Sequence, residues 1–240
     1  MVQSRSRAAK LNISTSLITQ IVTLVCGFMI PRIMINCYGS EAYGATASIT
    51  QFLGYIAILE GGVGSVARAA LYRPLANNDI NQMSSVVNEV KRFFRIIAYI
   101  FLIYVLVLAV SFKFISDVQS MDWFFTFCLV IAISISTFAQ YFIGLSYAVF
   151  LMAAQKYYVT NLANIITTIL NTAMVILLVF QGCNLVIVKF ATSCVFVLRP
   201  LIFLWYVKRK YELKSNAKRS NLLSQKWTAL GQHIAFFLHS

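Results

Sequence analysis

Ile96-Ile-Ala-Tyr-Ile-Phe-Leu-Ile-Tyr-Val-Leu-Val-Leu-Ala-Val-Ser-Phe112 runs without a charge between Lys91-Arg92-Phe-Phe-Arg95 on one side and Lys113 on the other. An apolar run of this length has few homes in water but fits the hydrocarbon layer of a bilayer, which a helix of about 20 residues crosses. Five more segments read the same way. Together the expected spans are 11–35, 44–67, 96–112, 123–153, 159–180 and 185–207, and a seventh run starts near Trp227 and reaches the end of the sequence at Ser240. The fold class expected is therefore an all-α polytopic membrane protein: a six-helix transmembrane bundle over 1–207, a basic loop over 208–226, and the truncated start of a seventh span over 227–240.

Composition agrees. The chain is 60% hydrophobic and 11% charged, whereas a soluble domain carries about 25% charged residues. It lacks the polar surface needed to cover itself in water. The five cysteines, Cys26, Cys37, Cys128, Cys183 and Cys194, show no C-x-x-C pairing, so no disulfide framework and no zinc site is expected. Arg5, Arg7 and Lys10 before an apolar run resemble a signal peptide, and Cys26 a lipoprotein site. Val25 stands where a small residue is needed, however, and the run continues to Ile35, so the first span is read as a retained helix.

The net charge of +13 raises the question of nucleic acid, and the placement of the charges answers it. With the N-terminus in the cytoplasm, the inner segments hold Arg5, Arg7, Lys10, Arg68, Arg73, Lys91, Arg92, Arg95, Lys156, Lys208, Arg209, Lys210, Lys214, Lys218, Arg219 and Lys226, which is 16 of the 20 basic residues. Arg32 and Lys113 fall outside, and Lys189 and Arg199 fall within the sixth span. This asymmetry is the positive-inside signature, and it makes no nucleic-acid partner necessary. The cluster from Lys208 to Lys226 also suits anionic headgroups. Loops are expected to be short except over 71–90 and 208–226. Gln181-Gly182-Cys183-Asn184 reads as a tight outer turn that makes spans five and six antiparallel neighbours.

Polar residues inside the spans fall into stripes at helical spacing: Asn12, Ser16, Gln20, Thr23 and Gly27 in span one; Thr137, Gln140, Gly144 and Tyr147 in span four; Asn161, Asn164, Thr168 and Asn171 in span five. Two readings stay open, helix–helix packing through small and polar side chains and the wall of a hydrated cavity. Glu60 lies deep in span two, followed by Gly61, Gly62 and Gly64. It reads either as a cavity-facing acid beside a flexible point or as half of an ion pair with Arg68 or Arg73. Arg199, followed by Pro200, either snorkels to the inner interface or faces the cavity. Lys189 and Arg32 face the same choice, and Pro31 is a further hinge candidate. If Arg32, Lys189 and Arg199 all face inward, the cavity suits an anionic substrate.

No enzyme is expected. His233 and His239 stand in the tail, and no D-x-D pair, H-E-x-x-H or P-loop is present. Asp117 and Asp122 share one outer loop and are the acids a membrane glycosyl- or acyltransferase would use. No cofactor and no metal is implied.

The order Lys10-Leu11-Asn12, Phe28-Met-Ile-Pro-Arg32, Tyr38-Gly39, Glu41, Tyr43-Gly44, Gln51-Phe-Leu-Gly-Tyr55, Leu59-Glu-Gly-Gly-Val-Gly64 and Arg68 resembles the N-terminal half of the polysaccharide flippases of the Wzx type, within the multidrug/oligosaccharidyl-lipid/polysaccharide exporter superfamily. Gly231-Gln-His-Ile-Ala235 is similar to the opening of that family's second half. The resemblance implies the N-terminal half of a MATE-like two-bundle transporter in the bacterial inner membrane. It implies as substrate an undecaprenyl-pyrophosphate-linked oligosaccharide repeat unit for O-antigen, capsule or exopolysaccharide assembly, moved by alternating access. It further implies membrane lipid and a polysaccharide polymerase or other assembly proteins as partners. A cation-coupled small-molecule exporter of the same superfamily, a membrane transferase and a non-transporting scaffold remain as alternatives.

Overall fold

The computed structural model describes residues 2–115 and 121–214, with side chains described for 8–113 and 121–214. Among the described residues every regular element is helical: α1 (Val2–Gly54), a 3₁₀ segment (Tyr55–Glu60), α2 (Val63–Ala76), α3 (Ile80–Ile115), α4 (Trp123–Ala139), a π turn (Gln140–Gly144), α5 (Leu145–Ala153), α6 (Tyr157–Phe180) and α7 (Leu185–Lys210). Five helical runs are long and apolar enough to cross a membrane: Ala8–Glu60, Ile80–Lys113, Trp123–Ala153, Tyr157–Phe180 and Leu185–Lys210. The expected seventh span and most of the basic loop lie outside the described residues.

The first of those runs is two helices in one. Gly39 stands at φ 83°, ψ 162°, a non-helical conformation that only glycine adopts without strain. The chain turns back there. Ala9 and Arg68 line the same cavity, which a straight helix of this length, rising about 1.5 Å per residue, forbids. Pro31, a hinge candidate, sits inside the helix without breaking it. The break falls at Gly39 rather than at Pro31.

Two ends of the bundle can be told apart. At one, Asn12 of α1 meets the α5–α6 turn, donating from Nδ2 to the Gln155 carbonyl at 3.1 Å and accepting from the Tyr158 amide at 2.8 Å. There too the segment after α7 meets the start of α3: the Lys214 amide donates to Ser84 Oγ at 2.9 Å and Asn88 Nδ2 donates to the Lys214 carbonyl at 3.0 Å. This is the basic end. At the opposite end Tyr38 Oη donates to the Cys183 carbonyl at 2.5 Å, and Trp123 Nε1 donates to the Val110 carbonyl at 3.2 Å. Between the ends α1 packs chiefly on α6, α6 on α7, α7 on α4 and α4 on α3. Phe94, Phe101, Phe112, Leu129, Phe150 and Leu151 fill the core, each essentially inaccessible.

The outer surface is apolar. Ile13, Leu17, Ile21, Leu24 and Phe28 of α1, Ile103 and Val107 of α3, and Ile166 and Ile169 of α6 are exposed. In water such a surface is an aggregation liability; in lipid it is the required finish. Tyr72, Tyr157 and Trp205 stand exposed near the basic end and Trp123 and Phe124 near the other, a placement that suits the two interfacial aromatic belts of a membrane helix bundle.

Two expectations need correction. Segment 71–90 is not a long loop: α2 continues to Ala76, and α3 begins at Ile80 after a turn in which Asn78 takes φ 52°. Met83, Val86, Val87 and Val90 are buried, and so are Ser84, Ser85 and Glu89. The segment is too polar to read as a spanning run, yet Met83, Val86, Val87, Val90, Phe93 and Phe94 recur at the spacing of an amphipathic helix. The 36 residues of α3 make a rod of about 54 Å, longer than the roughly 30 Å hydrocarbon layer. The second correction concerns span two, which is not one helix but three pieces: the end of α1 passes into the 3₁₀ segment at Gly54–Tyr55, and that segment joins α2 through Gly61 and Gly62.

Candidate functional site

Glu60 ends the 3₁₀ segment, and the two glycines after it both have left-handed backbones, Gly61 at φ 44° and Gly62 at φ 72°. The chain needs glycine here, since an L side chain costs about 1–2 kcal/mol per residue in that region. The helix restarts at Val63, with the Ser65 and Val66 amides donating to the Gly62 carbonyl at 3.0 and 3.3 Å. Glu60 is half-buried. Its carboxylate reaches forward over the glycine turn toward the start of α2, so that a Cβ added at Gly64 would stand 3.9 Å from Glu60 Oε1 and 3.6 Å from Val149 of α5. No ion pair joins Glu60 to Arg68 or Arg73 among the described residues; Arg68 Nη1 instead meets Met152 Sδ at 3.7 Å. The ion-pair reading of Glu60 therefore gives way to the unwound one.

Facing this break is a second irregularity. The π turn over Gln140–Gly144 interrupts α4–α5, and its Tyr141 lies within electrostatic reach of Glu60. Tyr141 is buried among Phe94 and Phe101, with ring centroids 6.4 and 6.2 Å away. On the other side of the turn, a Cβ at Gly144 would meet Gln140 Oε1 at 2.8 Å and Pro200 Cβ at 3.0 Å. The turn thus packs against α3 on one side and the proline of α7 on the other. Each widened or broken turn leaves backbone groups outside the regular ladder, and such turns concentrate at functional sites.

Arg199, adjacent to Pro200, does not snorkel. Its Nε donates to Thr167 Oγ1 at 2.6 Å and its Nη2 to Thr168 Oγ1 at 3.2 Å, and the guanidinium lies over the Phe196 ring at 4.4 Å. Thr167 is ten residues into α6, about 15 Å along its axis, so the cation is held near mid-bundle. Asn164, Thr167, Thr168 and Asn171 occupy one face of α6. Asn171 is buried, and its Oδ1 has no hydrogen-bond partner.

The other candidates disperse. Asn161, 2% exposed, donates to Thr15 Oγ1 at 3.1 Å and Ser16 Oγ at 2.9 Å, which makes it a packing residue between α1 and α6. Gln20 and Arg32 are exposed on α1, and Lys189 is half-buried about 15 Å along α7 from Arg199. Arg32, Lys189 and Arg199 do not gather into one cluster. Asp122 lines a cavity of about 730 Å³ at the Gly39 end with Glu41 and Asn184; Asp117, His233 and His239 lie outside the described residues. No group of three potential metal ligands occurs among the described residues. Sequence reasoning missed Thr167, Tyr141 and Glu89. Glu89 is 7% exposed with Oε2 unpartnered, and its place in the supposed loop concealed it. Past the end of α7, Tyr211 packs edge-on against Phe150 at 4.8 Å, and burial raises its phenol above the usual range.

Together these features define an all-α protein with long apolar helices suited to a bilayer and with irregular, polar turns at its middle. No protein-family model, curated protein or solved structure matches the chain.

Proposed function

We propose that the chain is the N-terminal bundle of a flippase that moves an undecaprenyl-pyrophosphate-linked oligosaccharide repeat unit across the bacterial inner membrane. Counting the two halves of α1 on either side of Gly39 separately, the bundle crosses six times, with the basic end cytoplasmic. The observation that carries the reading is that two spans are irregular within their apolar length, one over Tyr55–Gly62, where the half-buried Glu60 stands before two left-handed glycines, and one over Gln140–Gly144. A helix bundle that only anchors has no use for unwound backbone in hydrocarbon, whereas transporters place it where substrate or coupling ions are handled. Arg199 adds a half-buried cation one residue from the proline that abuts the π turn, and a guanidinium is the side chain best fitted to a pyrophosphate. Transport then rests on this chain's residues binding, orienting and releasing; no covalent step is involved.

The test is complementation of surface polysaccharide export in cells that depend on the protein. Glu60→Gln is expected to impair export while the membrane level of the protein stays normal, and Arg32→Ala and Lys189→Ala, which stand apart from the broken turns, are expected to change it little. Normal export in Glu60→Gln would remove the cavity reading.

Orientation has its own check. Cys37 is exposed two residues before the Gly39 turn, whereas Cys26 is buried. A variant keeping only Cys37 is expected to react with a membrane-impermeant maleimide added to intact spheroplasts. Labelling of Cys37 only after the membrane is opened would reverse the proposed topology.

A further inference from the structure

A second constellation lies at the basic end, away from the broken turns. A cavity of about 560 Å³ opens between the start of α1, α2 and the α5–α6 turn, lined by Ala9, Asn12, Arg68, Met152, Gln155 and Tyr157. Arg68 is half-buried there, and among the described residues its partner is a thioether sulfur, a weak acceptor. Among the described residues no carboxylate is in the lining. A guanidinium has five donors in a planar fork, and burying part of it without an anion leaves most of them unspent.

The wall around it is pre-set. Asn12 spends both ends of its amide on the Gln155 carbonyl and the Tyr158 amide, which fixes the α5–α6 turn against α1. Gln155 is held at φ 58°, a left-handed conformation uncommon for a residue with a side chain, and its side chain is exposed at the rim. Lys156 lines the adjoining cavity, its Nζ 5.7 Å from the Tyr158 ring, and adds to the positive field. Directly beside the cavity, Leu11, Ile13 and Leu17 present an exposed apolar surface along α1. A cationic recess at the foot of an apolar wall matches a molecule with a phosphate at one end and hydrocarbon at the other.

We propose that this recess binds a phosphate-bearing anion through Arg68, with the phosphate supplied by the headgroup of an anionic membrane lipid or by phosphate in solution. Arg68 takes two phosphate oxygens in a fork, and Gln155 and Tyr157 supply donors from the rim. The site is independent of the transport reading, because it lies apart from Glu60 and Arg199 and its test reads binding rather than export.

The experiment is native mass spectrometry of the full chain in detergent, with dioleoylphosphatidylglycerol, dioleoylglycerol of the same tails, and inorganic phosphate as probes. The wild-type chain is expected to retain phosphatidylglycerol and release dioleoylglycerol. Arg68→Gln is expected to bind phosphatidylglycerol about tenfold more weakly. Arg68→Lys keeps the charge without the fork and is expected to fall about threefold, which guards against a folding defect in the first variant. Arg209→Gln removes a cation that rests on Trp205 at the same end and is expected to bind as the wild type does. Displacement of the lipid by inorganic phosphate assigns the site to phosphate in solution, and resistance to displacement assigns it to the lipid headgroup. Equal retention of dioleoylglycerol and phosphatidylglycerol, or wild-type binding by Arg68→Gln, overturns the site.

Discussion

Arg199→Met is expected to abolish export while leaving the protein as stable as before or more so. A cation near the centre of a spanning helix costs about 2.5–3.5 kcal/mol on insertion scales, and part of this is recovered from Thr167, Thr168 and the Phe196 ring. Methionine fills similar volume without the cost. The hydroxyl of Thr167 is not orphaned by the change, because it also donates to the Ala163 carbonyl at 2.8 Å. Thermal unfolding of the purified variant should therefore occur at an unchanged or higher temperature, with a gain of up to about 2 kcal/mol. Export, measured as surface polysaccharide, should fall at least about tenfold, the size of one charge-assisted contact to a phosphate. Stability and function moving in opposite directions would mark Arg199 as a residue kept for its charge. Wild-type export by Arg199→Met would end the anion-handling role.

Gly62→Val is expected to damage both. At φ 72° the valine backbone is strained by about 1–2 kcal/mol from the left-handed conformation, and its branched Cβ adds to this. The alternative open to the chain is to straighten the segment into a continuous helix, which rotates Glu60 away from the π turn. Either outcome lowers export, the first through loss of protein and the second at full membrane level, and a blot of the membrane fraction tells which occurs. Gly27→Ala is the control: its site is helical with open space around it, so alanine is expected to be neutral or stabilising by about 0.5–1 kcal/mol. Normal export and melting in Gly62→Val would show that the break at Gly61–Gly62 is incidental.

The contrast between these two glycines shows what the sequence carries and what it does not. That 159–180 and 185–207 are helices is legible because the demand of the hydrocarbon is met residue by residue; the observed bounds, Tyr157–Phe180 and Leu185–Lys210, differ from the reading only at the ends. The cluster Gly61-Gly62 is legible as a flexible point because two glycines after an acid in an apolar run have few other uses. The π turn is not legible. It depends on Pro200 of a different helix lying against Gly144, a contact no local pattern encodes. The asparagines of α6 make the same point. Asn161, Asn164 and Asn171 share one stripe, yet Asn161 is consumed by Thr15 and Ser16 while the Asn171 carbonyl oxygen is left unpartnered. Spacing places residues on a face, and the neighbouring helix decides what the face is for. The buried stretch Met83–Val90 was legible and missed: Met83, Val86, Val87, Val90, Phe93 and Phe94 recur at helical spacing, a signal that a search for long uncharged runs passes over.

The Asn12 contacts also constrain how the protein is born. The partner of the first span is α6, and Asn12 meets Tyr158 across 146 residues of chain. At synthesis rates of about 5–20 residues per second, roughly 7–30 s pass between the two residues leaving the ribosome. Throughout that interval the first span waits in the insertion machinery or in lipid with Asn12 and Ser16 lacking the partners that the α5–α6 turn and α6 bring. The helix that is made first therefore gains its main neighbour late, after α2 to α5 have been made and with only α7 still to come.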